Sequence, residues 1–339
     1  MTDDLSPGSS IERRRCECLL MELYENQTAT VEALSRRLSR PPADIHRLLE
    51  FLRKSGCGIE TTPAGVQLDD ISWPWWRAIL EDRSGAAGRM LGRHVLVFDQ
   101  TTSTNDVCWQ AARQADERPL VVLADVQTRG RGRRGRRWES KPGQSLLLSI
   151  LLPAARRNAE TLTLTAGLAV AQTIETLVGV STVVKWPNDV LVDGKKIAGI
   201  LIETRWANPQ EMDSPTALDH ALGIGLNVGQ QSADFPAPLA DRAASLAMIS
   251  HHPWNRLRVL EALLEQLERN CLHPPAPAPL IAAWKARCAM LGQPIRVHCG
   301  GMEIVGRVAD IDPLEGLVLR DETGAVHLCK ARETTVLSP

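Results

Sequence analysis

Residues 185–203 read Lys-Trp-Pro-Asn-Asp-Val-Leu-Val-Asp-Gly-Lys-Lys-Ile-Ala-Gly-Ile-Leu-Ile-Glu. The apolar runs on either side of Asp193-Gly194 predict two strands, and Asp-Gly is the dipeptide that suits a two-residue type I′ hairpin turn. Pro187 has no amide hydrogen to donate and ends regular pairing just before the first strand. A hairpin is an antiparallel pair, so the strands around it do not form a strict βαβ repeat. Working outward, strands and helices alternate from His94 to about Asn270. HVLVF (94–98), LVVLADVQ (120–127), SLLLSILL (145–152), VVKW (183–186) and LDHALGIGLNVG (218–229) read as strands. TTSTNDVCWQAARQA (101–115) reads as a capped helix, and TLTLTAGLAVAQTIETLV (161–178) as a long apolar one. The pattern predicts an α+β domain with a central mixed sheet flanked by helices.

Before this domain, IERRRCECLLMELY, TVEALSRRL and ADIHRLLEFLRKSG carry apolar residues at helical spacing. Thr30 is placed to cap the second helix, and Asp44 falls in the first turn of the third. IETTPAGVQL follows as a hairpin turning at Pro63-Ala64-Gly65. Three short helices and a hairpin make a winged helix-turn-helix pattern. The tryptophan-rich ISWPWWRAIL reads as a linker or as simple domain packing, and SGAAGRMLGR as a flexible boundary. At the other end, CLHPPAPAPL reads as a Pro-rich linker, and LIAAWKARCAML as a helix. Short strands then follow, with turns at Cys299-Gly300-Gly301, Asp312-Pro313 and Glu322-Thr323-Gly324, which predicts a small β-barrel. The expected boundaries are 1–70, a linker over 71–92, a central domain over 93–272 and a barrel over 273–339.

The formal net charge of the 339 residues is −1, so any polyanion site must be local. The acidic, polar start has no apolar stretch behind a basic end, and no run approaches the roughly 18 apolar residues of a membrane span. Eight scattered cysteines without a CxxC pair read as small buried hydrophobes in a reducing cytosol, giving an expected cytoplasmic location and no membrane partner.

Two segments carry chemistry. Positions 129–137 hold six arginines and three glycines, followed by Trp138. Glycine lets backbone approach a ligand closely, and arginine offers planar forks for phosphate or carboxylate. Such a loop repels itself until an anion orders it; a solvated basic loop or a nucleic-acid patch has the same composition. Gly130, Gly132 and Gly135 spell GxGxxG, but the chain then runs through Lys-Pro-Gly into a strand instead of opening a helix. A P-loop fails as well, because Arg136-Arg137 stands where Lys-Ser/Thr is required. Trp138 is either a core aromatic or a stacking plate for a base. In the second segment, Asn188 and Asp189 sit at an irregular junction, and Asp189 suits Mg²⁺, which takes one or two carboxylates plus phosphate oxygens. Alternation puts Lys195 and Lys196 on opposite faces, so one enters the site. Gly199 makes room beside Ile200. An ordinary charged hairpin explains this segment equally well.

Together, GRGRRGRRW (130–138), KWPND (185–189), KKIAGILIE (195–203), TSTND (102–106) and GIGLN (223–227) resemble the biotin–protein ligase family, in the family's order. The three-part layout is similar to the bifunctional type with an N-terminal winged helix-turn-helix. The resemblance implies a catalytic fold related to class II aminoacyl-tRNA synthetases and a C-terminal SH3-like barrel. It implies biotin, ATP and Mg²⁺ as ligands, and a biotin carboxyl carrier protein as acceptor. Ser103, Thr104 and Gln127 match contacts to the biotin rings. Gly130, Arg131 and Arg133 match the loop that closes over biotin and its adenylate, to which Arg134 and Arg136 also belong. Trp138 matches the adenine-stacking aromatic, and Asn188 and Asn227 match adenine contacts. Asp189 matches the Mg²⁺-linked carboxylate. Lys196 matches the lysine on the biotin carboxylate and reacting phosphate, with Lys185 nearby, and Gly199 lies against biotin.

The chain departs from the family where Ser145 and Leu147 replace an Asn and an aromatic. It departs again at the N-terminus, where residues 1–68 carry nine Lys/Arg against ten Asp/Glu. Operator DNA and a homodimer are expectations of the same resemblance. The rival readings are a lipoate–protein ligase and a ligand-sensing DNA-binding regulator without catalysis.

Overall fold

The computed structural model describes residues 10–113, 118–153, 159–206, 218–312, 315–330 and 333–338. Gln114 and Ala115 of the expected helix and Pro313 of the expected turn lie outside these. The chain divides into two units, Met1–Gly88 and Arg89–Pro339.

In the first unit, α1 (Ser10–Asn26), β1 (Thr28–Ala29), α2 (Val31–Leu38), α3 (Pro42–Lys54), β2 (Gly58–Thr62) and β3 (Gly65–Asp70) enclose one apolar core. Thr30 caps α2 through its side chain, which accepts from Ala33 N–H. β1 joins the β2–β3 hairpin to make a three-stranded sheet. The tryptophan-rich stretch continues into α4 (Trp76–Ala86), and Trp75, Trp76, Ile79 and Leu80 are buried. Much of the segment expected as a linker is therefore packed helix. Its apolar faces cover α1, and the Trp76 indole donates to Ile71 O at 2.9 Å.

The second unit begins with β4 (Val95–Thr101), α5 (Thr104–Ala111), β5 (Leu120–Gln127), β6 (Ser145–Pro153), α6 (Ala159–Val178), β7 (Val183–Lys185), β8 (Asp189–Val192), β9 (Lys195–Trp206) and β10 (Leu218–Asn227). The strands form a seven-stranded sheet ordered β4-β5-β6-β10-β9-β8-β7. β4 and β5 are parallel and the other pairs antiparallel, so the sheet is mixed. Helices α7 (Leu246–Ser250), α8 (Arg256–Leu267) and α9 (Pro277–Lys285) follow. α6 and α8 pack together, with α6 on β9 and α8 on β6, while α5 packs on β5, β6 and β10. Residues 145–152 of β6 are all buried, as a strand covered on both faces must be, and each such leucine contributes about 1.5–3 kcal/mol. α9 starts inside the Pro-rich stretch, because proline fits the first turn of a helix, where its missing N–H is not needed.

The C-terminal part of this unit is a five-stranded antiparallel sheet of β11 (Pro294–Cys299), β12 (Met302–Asp312), β13 (Gly316–Arg320), β14 (Val326–Cys329) and β15 (Thr334–Ser338), ordered β14-β13-β12-β11-β15. Six of the eight cysteines are buried; Cys18 is exposed and Cys288 half-buried.

Candidate active site

Three segments converge on the sheet face that α5 covers. The first is the start of α5. Ser103 is its N-cap and is buried, as are Thr104 and Asn105. Thr104 donates to Gln127 Oε1 twice, from its amide at 2.7 Å and its hydroxyl at 3.1 Å. This orients Gln127, at the end of β5, toward the next loop: a Cβ on Gly130 would lie 3.3 Å from Gln127 Nε2. The Ser149 hydroxyl sits 2.6 Å from both Thr104 Oγ1 and Asn105 Oδ1.

The second segment is the arginine loop, which folds as a tight hairpin of its own. Gly132 N–H donates to Arg136 O at 2.7 Å, Trp138 N–H donates to Gly130 O at 3.1 Å, and Arg131 bridges Arg137. Arg134 (φ +59°) and Gly135 (φ +73°) make the left-handed tip. Gly130 is required for close approach, since a Cβ there would meet Trp138 O at 2.8 Å. Arg131 turns back from the loop and grips Asp106 with two hydrogen bonds, 2.9 and 2.7 Å, and Glu203 with a third at 3.2 Å. The hydrogen bonds from Arg131 hold the Asp106 carboxyl below its usual value. Burial, then the like charge of Arg134, depress the Arg133 guanidinium, and the Asp189 carboxylate opposes them. Arg133 is therefore half-buried near Asp189, whereas Arg134 and Arg136 are exposed.

The third segment is the β8–β9 hairpin, which turns through Asp193 (φ +49°) and Gly194 (φ +76°) as a type I′ turn requires. The Lys196 backbone is tied to the 242–244 loop, donating to Arg242 O at 2.7 Å and accepting from Ala244 N–H at 2.9 Å. Its Nζ reaches within 2.7 Å of Asp189 Oδ1. The contact is an ion pair, and among the described residues no donor is aligned on Oδ1. Asp189 stands cross-strand from both Lys185 and Gly199.

Trp138 joins the second and third segments. Its indole lies over Gly199 and Gly225, which face each other across β9 and β10. A Cβ on Gly225 would sit 2.4 Å from Trp138 Cε2, and one on Gly199 would sit 3.0 Å from both Trp138 Cζ3 and Lys196 Nζ. Lys196 Nζ lies 5.5 Å from the indole centroid. Trp138 Nε1 and Asn105 Nδ2 are buried without a hydrogen-bond partner among the described residues. Buried donors of this kind suit a polar ligand.

Thus Thr104, Gln127, Gly130, Trp138, Gly199, Lys196 and Asp189 form one contiguous set, with Arg133 beside it. Asn188 and Asn227 each brace the fold through one amide donor. Asn188 donates to Ile200 O and Asn227 to Ala244 O, each at 3.0 Å. Asn227 also accepts from Gln230, whose Nε2 donates to Ser145 Oγ. Ser145, where the sequence departs from the family, therefore anchors this corner. Sequence reasoning missed Asp106 and Glu203, although they end the TSTND and KKIAGILIE motifs. A cavity of about 350 Å³ opens beside Arg133 and Asn188, walled in part by Trp186, Ile200 and Trp284.

Residues 97–212 match the biotin/lipoate A/B protein ligase family. The chain is 31% identical over 322 residues to the bifunctional ligase/repressor BirA of Bacillus subtilis, covering 92% of this chain and 96% of that one. It is 36% identical over 254 residues to the biotin–[acetyl-CoA-carboxylase] ligase of Mycobacterium tuberculosis, covering 72% and 90%. Among solved structures it is similar to the biotin protein ligase from Aquifex aeolicus in complex with biotin and ATP. That match has a TM-score of 0.61 at 26% identity and covers 73% of this chain and 100% of that one. With near-full-length identity above 30% and the shared sheet carrying a cationic loop beside a lysine–aspartate pair, the chain belongs to the biotin protein ligase family.

Proposed function

We propose that the protein forms biotinyl-5′-AMP from biotin and ATP and then transfers biotin to a lysine of a biotin carboxyl carrier protein. The observation that carries this reading is the junction of loop and hairpin, where Trp138 rests on two glycines against the Lys196–Asp189 pair. In the first step, a carboxylate attacks a phosphate. At 4 Å two such anions repel by about 4 kcal/mol at an effective dielectric of 20. Lys196, Lys185 and Arg133 offset that repulsion and stabilise the charge that develops. Ser103, Thr104 and Gln127 take the biotin rings; Gly199, matched to biotin by the resemblance, is instead covered by the Trp138 indole, whose outer face takes the adenine. Asn188 and Asn227 shape the adenine edge through the backbones they brace. Gly130 and Arg131 belong to the loop root. Arg134 and Arg136 lie at its exposed tip, ready to close on the phosphate. The mixed anhydride is open to hydrolysis, and the closed loop excludes water from it.

In the second step the acceptor lysine, ordinarily of pKa about 10.4, must lose a proton before it attacks. Asp189 is placed to orient it or accept that proton. Among the described residues no three Asp, Glu, His or Cys side chains cluster as a metal cage. This fits a Mg²⁺ ion held by Asp189 alone, with its remaining ligands from ATP phosphates and water; it would neutralise phosphate charge.

The proposal extends to the architecture: a winged helix-turn-helix over 1–70, the packed tryptophan-rich helix and boundary over 71–92, the catalytic domain over 93–272 and an SH3-like barrel over 273–339, acting in the cytoplasm, with a homodimer as its assembly. A second role, biotin-responsive repression at an operator DNA, is supported by the 92% coverage against a relative named ligase/repressor. Against it, Arg47 pairs with Glu12 and Asp44, and Lys54 with Glu50, on the helix that would enter the groove.

Pyrophosphate exchange into ATP tests the catalytic reading, with biotin or lipoate supplied and with Lys196→Ala as control. Exchange that needs biotin and collapses in the variant supports it. Exchange that needs lipoate instead overturns it.

A further inference from the structure

Of the loop arginines, Arg131 has its guanidinium held by two carboxylates of the neighbouring helix and strand. Two of its N–H groups hold both oxygens of Asp106, and Nη2 also reaches Glu203. These carboxylates are themselves held. Thr102 Oγ1 donates to Asp106 Oδ2 at 3.3 Å, and Trp109 Nε1 donates to Glu203 Oε2 at 3.0 Å. Asp106 lies in the first turn of α5, the helix whose N-terminus carries Ser103 and Thr104. Glu203 lies on β9, the strand that carries Lys196 and Gly199. Arg131 thus ties the root of the loop to both walls of the site.

We propose that Asp106 and Glu203 are positioning residues that latch the cationic loop through Arg131, leaving anion binding to the arginines nearer the tip. The inference rests on the ligase reading above and extends it. The geometry makes this more than a surface ion pair. Exposed pairs contribute little because water screens them and holding two long side chains costs entropy. Here the side chains of Arg131, Asp106 and Glu203 are only 34%, 27% and 24% exposed. The fork meets Asp106 in bidentate fashion, the strongest and most directional arrangement available to arginine. The loop then has a fixed root and a free tip. Gly130 stays registered against Gln127 and Trp138, while Arg134 and Arg136, both exposed, remain free to close. A charge network that touches no substrate would thereby set how well the flap retains the adenylate.

The test uses the full chain with Asp106→Asn, Glu203→Gln, the double variant and the conservative Asp106→Glu. Two readouts apply: the rate of tryptic cleavage within 129–137 without ligand, and the share of biotinyl-adenylate that escapes to solution with biotin and ATP. Asp106→Asn is expected to raise both by about fivefold or more, Glu203→Gln by less, and Asp106→Glu to restore most of the loss. A residue that served only general stability would lower the melting temperature and leave both readouts at parent values in the folded protein. Cleavage and escape within about twofold of the parent, in an Asp106→Asn variant of unchanged circular dichroism, overturn the latch. Failure of the parent to make any adenylate would instead reject the ligase reading, and the cleavage rates would still decide the latch.

Discussion

On the proposed reading of Trp138 as the adenine-stacking plate, Gly225→Ala is expected to unseat that plate while leaving the sheet intact. The added Cβ would lie 2.4, 2.6 and 2.8 Å from three atoms of the Trp138 indole. No pair of non-bonded carbon atoms tolerates such separations, and a rigid bicyclic ring cannot bend to relieve them. Gly225 pairs regularly with Leu147 and Gly199 in the centre of the sheet, and its φ is not in the left-handed region. Alanine therefore fits the backbone, and the conflict is with the indole alone. Trp138 must leave its seat, and the adenine loses a stacking partner that contributes about 1–3 kcal/mol, or about 5- to 150-fold in affinity. The assay is biotin-dependent pyrophosphate exchange with ATP varied, alongside biotin binding by calorimetry. KM for ATP should rise within that range. A cycle with Trp138→Ala sharpens the test: once the indole is gone, the methyl group has nothing to strike, so the double variant should be no worse than Trp138→Ala. An ATP KM within about twofold of the parent in folded Gly225→Ala would refute this account of the seat.

Lys196→Ala should lower exchange by about 10²–10³-fold, as expected when one donor aimed at developing charge is lost, with folding unaffected by circular dichroism. Arg133→Gly should release reactive adenylate, measured as biotin label appearing on lysines of bystander proteins; label confined to the carrier protein would contradict the lid. The Asp106 carboxyl is held below its ordinary value of 3.8, so the latch is stabilising above that value and is lost only as pH falls through the lowered one. The melting-temperature difference between parent and Asp106→Asn should accordingly stay level from about pH 8 to about pH 5 and shrink below about pH 4. A difference that vanished near neutrality would point to another group. If Arg47 and Lys54 stay paired on α3, operator binding should show a shallow salt dependence, with a log–log slope no steeper than about −3; a much steeper slope would mean those pairs open on DNA.

Much of the site was legible because its parts are local. Asp193-Gly194 specifies its turn by backbone sterics alone, and the hairpin that follows places Lys196 and Asp189 within reach of each other. The glycines and arginines of 129–137 mark a loop suited to anions, and the flanking motifs, not composition, separate it from a solvated basic loop. What the sequence could not show are contacts between distant segments. Asp106 and Glu203 look like ordinary surface acids until the fold brings 106, 131 and 203 together. Gly225 looks like a strand glycine until Trp138 is seen against it. The resemblance matches Asn188 and Asn227 to adenine contacts, and only the fold adds that one amide donor of each braces a strand or loop carbonyl. The tryptophan-rich stretch left two readings open because apolar aromatics in a linker and in a packed helix have the same composition, and the buried faces of Trp75 and Trp76 decide for packing.

The central claim is that the loop and the hairpin close around biotin and ATP to join them. Mixing the protein with both, quenching rapidly and extracting the bound small molecule tests it most directly. Biotinyl-5′-AMP retained at close to one per chain in the parent, and missing with Lys196→Ala, is the predicted result. A parent that binds biotin and ATP yet yields no adenylate at any time would contradict it.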